Sequence, residues 1–469
     1  MNNIKLTKIV ATIGPASESP EQIDRLIDAG VNVFRFNTKH STPEWHEEHI
    51  KIVQEVADIK KETVAILLDL QGPEIRLETK EKLDIPVKVG QIISIGLSFV
   101  DDIQVIIPHS AVFEILQPKD ELLIDDGFVE TEVLKVTKDT IVVEVKNDAV
   151  IKNRKGVNLP GKDIDFPSLI ENDIKQLDRN ARGKIDYVGL SFVRSAKDIR
   201  LLRDEMDKRG MSAKIVAKVE NQAALDKIDE IIDEADIVMV ARGDLGVEVP
   251  IEQLAYWQKM IISKCRMANK PVITATQMLE SMIANPRPTR AEVTDVANAV
   301  FDGTDAIMLS AECASGKYPV RTVETMAKIA KWNEHQRPDE VIKFENADAT
   351  SIVAEAAISI VNSKLKPKIE GVVVFTETGH SARVISKYRL NVPLIAITAD
   401  QKVAESLVVS YGVVPIVIDI KEGAFTTPKK ILDELVKREI LNQGDMVVVV
   451  HGSKWYRSGF TNAIQIAEV

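Results

Sequence analysis

Cysteine is scarce: the 469 residues hold only two, Cys265 and Cys313, far apart and without metal-ligand spacing. That argues against a disulfide framework or a zinc site and fits a reducing, cytoplasmic setting. A basic excess is also absent. Sixty Lys and Arg face 71 Asp and Glu, and the formal charge of -11 argues against a general nucleic-acid binder. No apolar run is long enough to span a membrane. The first one, in MNNIKLTKIVATIGPAS, stops at Gly14 and Pro15 without a cleavage pattern, so neither a signal peptide nor a transmembrane segment is expected. What is present is ordinary for a globular chain: 45% hydrophobic and 28% charged residues, at a length that suits about three domains.

The strongest pattern is a series of short runs rich in Val and Ile, each followed by a turn and a helical stretch. These are KIVATIG from Lys8, VNVFRFN from Val31, VAILLDL from Val64, YVGLSFV from Tyr187, KIVAKVE from Lys214, IVMVARGD from Ile237, PVITATQ from Pro271 and AIMLSAE from Ala306. Eight such βα units predict an α/β fold of the TIM (β/α)8 barrel type, with its active site at the carboxyl ends of the strands. Arg35, Asn37, Asp69, Lys218, Glu220, Asp244, Thr276, Ser310 and Glu312 end those runs and should converge on one mouth. More than a hundred residues separate the third and fourth runs, too many for one crossover, so residues 74–159 are expected to form an inserted β-barrel or sandwich that acts as a lid. The barrel then takes residues 1–73 and 160–340, with a polar boundary at NEHQRPDE from Asn333. Residues 341–469 are expected to form a C-terminal α/β domain, with a helix from Thr350 to Lys364 and strand runs VVVFTE, PLIAITAD, PIVID, MVVVV and AIQIAEV.

Glu220 and Asp244 end successive strands, and two such carboxylates make a hard-oxygen site for Mg2+ or Mn2+. Either one alone reads as a helix cap or the partner of a basic neighbour. Lys218 lies two residues before Glu220 on a strand, so both side chains share a face and the ammonium can neutralise a phosphoryl group in transfer. Without that companion it reads as a lysine reaching along the barrel to solvent. Gly243 and Gly246 flank Asp244 and allow backbone amides to approach an anion, while Thr276 adds a hydroxyl at the same level or simply caps a helix.

Together the segments TKIVATIGPAS, GPEIR, KGVNLPG, AKVEN, VARGDLG, ATQMLESMIANPRPTRAEVTDVANAVFDGTDAIMLS and SGFTN resemble the pyruvate kinase family, in its order and over nearly the whole chain. The resemblance implies transfer of the phosphoryl group of phosphoenolpyruvate to ADP, giving pyruvate and ATP in glycolysis. It implies that Lys218 stabilises the group in transfer, that Glu220 and Asp244 hold the metal, and that the Gly243 and Asp244 amides and the Thr276 hydroxyl receive the substrate carboxylate. Ser310 and Glu312 match residues through which a water would protonate the enolate. Arg35 and Arg76 would meet phosphates, His40 the nucleotide, and Lys155 of the lid the ADP phosphates.

The chain departs from the family at its K+ site. Motifs resembling NFSH and DTKGPEIR read NTKH from Asn37 and DLQGPEIR from Asp69, so Lys39 replaces a serine ligand and Leu70 a threonine, while Asn37 and Asp69 remain. A leucine side chain cannot coordinate a cation and an ammonium repels one, so K+ is expected not to be required. The Lys39 ammonium could itself sit between Asn37 and Asp69, within reach of Glu74; the alternative is a solvent-facing Lys39 and an impaired site. K+-independent members of the family resemble one another in a lysine at the position of Glu74, which is still a glutamate here. Gln71 replaces a lysine and removes one cation, whereas Ala311 and Cys313 are small-for-small replacements.

The resemblance also implies a homotetramer and a phosphorylated effector on the C-terminal domain. The loop with Thr376, Thr378, Gly379 and Ser381, and a later one with Lys454, Trp455 and Arg457, would supply its contacts; packing alone could equally explain them. Two other readings stay open: a weakly active paralogue kept as a regulatory subunit, suggested by Lys39, Leu70 and Gln71, and another metal-dependent barrel enzyme acting on a related acid. No nucleic acid or membrane is expected as a partner.

Overall fold

The structure is a computed structural model that describes residues 4–100, 102–337, 348–363, 368–418, 428–452 and 461–469. All eight apolar runs form strands: β1 (Lys8–Thr12), β2 (Val33–Asn37), β3 (Ala65–Asp69), β4 (Tyr187–Leu190), β5 (Lys214–Val219), β6 (Ile237–Ala241), β7 (Val272–Ala275) and β8 (Ala306–Leu309). Each is parallel to its neighbours, and β1 pairs with both β2 and β8, so the ring closes. Closure leaves no sheet edge, and both faces of the strands are covered, which is why their sequences lack polar alternation. Val10, Leu67, Val216, Met239, Ile273 and Met308 fill the interior, and Val408 and Val409 of the C-terminal domain plug its base. Each fully buried aliphatic side chain of this kind stabilises the fold by about 1.5–3 kcal/mol.

Between β3 and β4 lies a mixed seven-stranded sheet with a two-stranded ribbon, around a separate core that includes Leu77, Val87, Ile95, Val133 and Val143. Its edge strands, Glu78–Thr79 and Val157–Asn158, are brought together by an antiparallel bridge between Arg76 and Gly156. Leu77 N–H donates to the Lys155 carbonyl at 3.1 Å and Val157 N–H to the Ile75 carbonyl at 2.9 Å, so the sheet curls back on itself where it joins the barrel. The lid therefore meets the mouth through Glu74, Arg76 and Lys155.

The C-terminal domain holds β9 (Ile369–Phe375), β10 (Leu394–Thr398), β11 (Val413–Val417), β12 (Met446–Gly452) and β13 (Thr461–Glu468), in the order β11-β10-β9-β12-β13 with only β13 antiparallel. The helix expected from Thr350 runs Ala349–Val361; Lys364 lies outside the described residues. This domain grips the base of the barrel. Arg389 donates to Asp305 at 2.6 Å, Lys8 Nζ to the Val413 carbonyl at 2.6 Å, and the Tyr187 hydroxyl to the Glu405 carbonyl at 2.8 Å. Among the described residues no helix is long and apolar enough to cross a membrane.

The same junction gives a pH prediction. Asp186 accepts the Ile66 N–H at 2.7 Å, and burial pushes its carboxyl up to about 8, with the Glu405 charge pushing the same way. An unfolded aspartate titrates near about 3.9. Between those values the folded chain binds the extra proton, so this group's stabilisation is fullest at low pH and is lost as pH rises toward 8. In Asp186→Asn the titration is absent, and the melting temperature of the variant relative to the parent should rise from pH 5 to pH 8. A difference independent of pH would refute this.

Candidate active site

The mouth is built from residues that leave the strands at their carboxyl ends. Lys218, on β5, is buried, and its ammonium donates to Ser191 Oγ at 2.7 Å and contacts Glu220 at 2.8 Å and Asp69 at 3.5 Å. Burial pulls its pKa down, but the Asp69 and Glu220 charges outweigh that and hold it above the usual lysine value. Arg35 donates from Nε to Asp69 Oδ2 at 2.7 Å and from NH1 to Thr12 Oγ1 at 2.9 Å. Burial pushes Asp69 up, and the two cations more than reverse it, so its carboxyl lies below the ordinary range. Asp69 Oδ1 is buried and makes no hydrogen bond.

That carboxylate sits against bare backbone. A Cβ at Gly189 of β4 would lie 2.6 Å from Asp69 Oδ1, a distance that real Cβ atoms essentially never show. Gly189→Ala should displace Asp69 and, through it, Arg35 and Lys218, lowering kcat by about 10–100-fold with circular dichroism unchanged. A fully active variant would mean that the carboxylate's placement is immaterial.

Glu220 accepts the Phe192 N–H at 2.6 Å on one oxygen while the other faces Lys218. Burial raises its pKa, Lys218 opposes this, and Asp244 adds to the rise. Asp244, in the short helix Arg242–Glu248, is also raised by burial, with Lys218 and then Lys39 pulling it down. Among the described residues no hydrogen bond or ion pair engages its carboxylate. Thr276 and Gln277 both adopt left-handed backbone, with φ of 68° and 54°, which is costly for a β-branched residue and concentrates at functional sites. Arg242 secures them: it donates to the Thr276 carbonyl at 2.7 Å and is anchored on Asp295 at 2.7 Å. Gly243 N–H donates to Thr276 Oγ1 at 2.7 Å, so these two carboxylate-binding candidates are mutual partners. Glu312 is buried, with burial raising its pKa; it accepts the Ser310 N–H at 2.7 Å and the Leu279 N–H at 3.3 Å and ties the loops after β7 and β8 together.

A cleft of about 570 Å³ lies between barrel and lid, lined by Lys39, His40, Arg76, Lys155, Glu220 and Asp244 among others. Arg35, Asp69, Lys218, Thr276, Ser310 and Glu312 do not line it. Burial is the largest influence holding the His40 imidazole below its ordinary value, and Lys39 adds to it. Lys155 pairs with Asp125 at 2.7 Å, and Arg76 with Glu74 at 2.7 Å.

The altered cation site differs from expectation in two respects. Lys39 Nζ contacts Glu74 Oε1 at 2.5 Å and makes no ion pair with Asp69; Asn37 Oδ1 is met by the Lys39 backbone N–H at 3.2 Å. The side chain extends toward the lid, where Glu74 offers a carboxylate that is not already held by Arg35. Leu70 lacks a side-chain oxygen, and its carbonyl accepts Ser191 Oγ at 2.7 Å, the hydroxyl that in turn accepts from Lys218. Gln71 Oε1 accepts from Asn172 at 3.1 Å. Buried Cys265 and Cys313 are unpaired thiols, each held above its ordinary value by burial.

On the C-terminal domain, Thr376 is buried at the end of β9, the Thr378 carbonyl accepts from Arg383 at 3.2 Å, Gly379 has φ of 81°, and Ser381 Oγ meets Thr461 Oγ1 at 2.6 Å. Lys454, Trp455 and Arg457 lie outside the described residues. Sequence reasoning missed Arg242, Ser191 and Gly189. Only Arg242, next to the ARGDLG glycine, carried a local signal.

Carboxylates beside a buried lysine, at the carboxyl end of a (β/α)8 barrel and under an inserted β domain, are the arrangement of a barrel enzyme suited to phosphoryl transfer. A family profile described as "Pyruvate kinase, barrel domain" matches residues 4–323, and one described as "Pyruvate kinase, alpha/beta domain" matches residues 352–467. A pyruvate kinase of Sporosarcina psychrophila is 39% identical over 99% of this chain and 80% of its own length; one of Clostridium acetobutylicum is 38% identical over 99% of each. A crystal structure of a pyruvate kinase from Cryptosporidium parvum superposes with a TM-score of 0.91 at 34% identity, covering 99% of this chain and 96% of that one. The chain belongs to the pyruvate kinase family, and its reaction is phosphoryl transfer from phosphoenolpyruvate to ADP, giving pyruvate and ATP.

Proposed function

We propose that Lys218 carries the transfer, that Glu220 and Asp244 hold Mg2+ (or Mn2+), and that the reaction runs without K+ because Lys39 supplies a fixed cation. The observation that carries the last point is the Lys39–Glu74 contact of 2.5 Å at the mouth. Glu74 is shared with Arg76, so the three side chains bear one net positive charge, and Lys39 lowers the pKa of Asp244. This is the electrostatic service of a bound alkali ion, delivered from a lysine stem.

The oxygens present suit a hard dication: Asp244 has no hydrogen-bond or ion-pair partner among the described residues, Glu220 would share with the ion the oxygen it now turns to Lys218 at 2.8 Å, and two carboxylates would leave most positions to substrate oxygens and water. When bound, the ion supplies neutralisation of charge on the phosphoryl and enolate oxygens. Lys218 can turn from Ser191 onto a phosphoryl oxygen while Asp69 and Glu220 keep it charged. Gly243 N–H and the Thr276 hydroxyl, now bonded to each other, can both turn to a substrate carboxylate. A water relayed by Ser310 and Glu312 protonates the enolate carbon, Glu312 being suited to carry a proton by its raised pKa. Arg35 steadies Asp69 beneath the phosphate, and His40, Arg76 and Lys155 face the nucleotide from the cleft and lid, which closes to exclude water.

The reading extends to a cytoplasmic homotetramer with a phosphorylated effector on the loop from Thr376 to Ser381. Pyruvate formation with Mg2+ as the only added metal tests the assignment. Activity that needs ADP and vanishes on chelation supports it, and a protein that binds phosphoenolpyruvate without turning it over would be a regulatory paralogue.

A further inference from the structure

A second cavity lies away from the mouth, where the C-terminal domain meets the base of the barrel. Five cations line it: Arg266 and Lys270 from the barrel, and Arg383, Lys387 and Arg389 from the C-terminal domain. Its only acidic lining residue is Asp305, which is committed to Arg389 at 2.6 Å, the Tyr411 N–H at 2.9 Å and the Val272 N–H at 3.0 Å. Other acids reach the cations from outside the lining: Asp236 toward Lys270 and Arg383, Asp233 toward Lys270, and Asp348 and Glu355 toward Lys387. Burial is the largest influence on Lys270, Arg383, Lys387 and Arg389, and it lowers the pKa of each.

Two lining groups point to an occupant. Ser410 is 1% exposed and its hydroxyl has no hydrogen-bond partner; Asn269 Oδ1 is also buried and unpartnered. Buried polar atoms are rarely left so, because an unmade hydrogen bond leaves the cost of desolvation uncompensated. Turning the Asn269 carboxamide over presents a donor, as its oxygen and nitrogen are nearly isosteric. The space in which the centre of a water-sized sphere can move is about 10 Å³, which suits one small particle and is too small for a sugar phosphate or nucleotide.

We propose that this cavity binds a small inorganic anion of chloride size, which joins the C-terminal domain to the barrel base. The anion accepts from Ser410 Oγ and the turned Asn269 amide, and it offsets repulsion among cations drawn from both domains.

Bromide is the probe. In crystals of the full chain grown with bromide, anomalous density should appear beside Ser410 Oγ. Replacing gluconate by bromide at equal ionic strength should raise the melting temperature by about 2 °C, and not in the Arg383→Met, Ser410→Ala double variant. Density for a water alone, with no anomalous signal, overturns the proposal, as does a rise that the double variant retains. The site is remote from the chemistry, so either result leaves the assigned reaction untouched.

Discussion

Lys218→Met is expected to lower kcat by about 10³-fold, with a much smaller change in KM, the range found when a single group that stabilises transition-state charge is removed. Methionine keeps the length and the apolar stem but loses the ammonium. The parent lysine is held charged by Asp69 and Glu220, so its charge is present across the working pH range and no pH change should rescue the variant. Asp69 keeps Arg35 as a partner, bonded at 2.7 Å, which argues for a folded variant. Steady-state pyruvate formation and a melting curve, measured together, separate the two effects. A rate within tenfold of the parent would remove Lys218 from the chemistry.

Lys39→Ser is expected to convert the enzyme to K+ dependence, with the K+-free rate falling about 10–100-fold and added K+ restoring most of it. Without the ammonium, Glu74 and Arg76 neutralise each other and the mouth loses one unit of charge close to Asp244, where low dielectric magnifies it. The serine would return a hydroxyl to a motif that still carries Asn37 and Asp69. A variant as active as the parent without K+ would show that Lys39 carries no such burden. Because Lys39 is about a third exposed, high salt should weaken its effect in the parent.

The barrel was legible because buried parallel strands need unbroken Val and Ile runs, and all eight such runs became strands. Four of the C-terminal strands were legible for the same reason, while the antiparallel, half-exposed β13 was legible from its short run AIQIAEV. Strand ends then placed Lys218, Glu220 and Asp244 together, since carboxyl termini of a closed barrel face one way. Side-chain reach was not legible. Lys39 could be assigned to the old cation site with Glu74 in reach, but its choice of Glu74 over Asp69 was not legible, because that depends on where the lid enters. That the Leu70 carbonyl accepts the Ser191 hydroxyl was not legible either, because a carbonyl's direction is set by the turn after β3. Arg242 and the left-handed Thr276 belong together only in three dimensions, being 34 residues apart. Gly189 looked like one more small residue in a strand until Asp69 was found against it.

The most direct measurement is the rate of ADP-dependent pyruvate formation from phosphoenolpyruvate with Mg2+, first in buffer free of K+ and then with K+ added at constant ionic strength and constant chloride. The account predicts brisk turnover in both, differing by about twofold or less if Lys39 already supplies the charge. Negligible turnover that rises many-fold with K+ would contradict it.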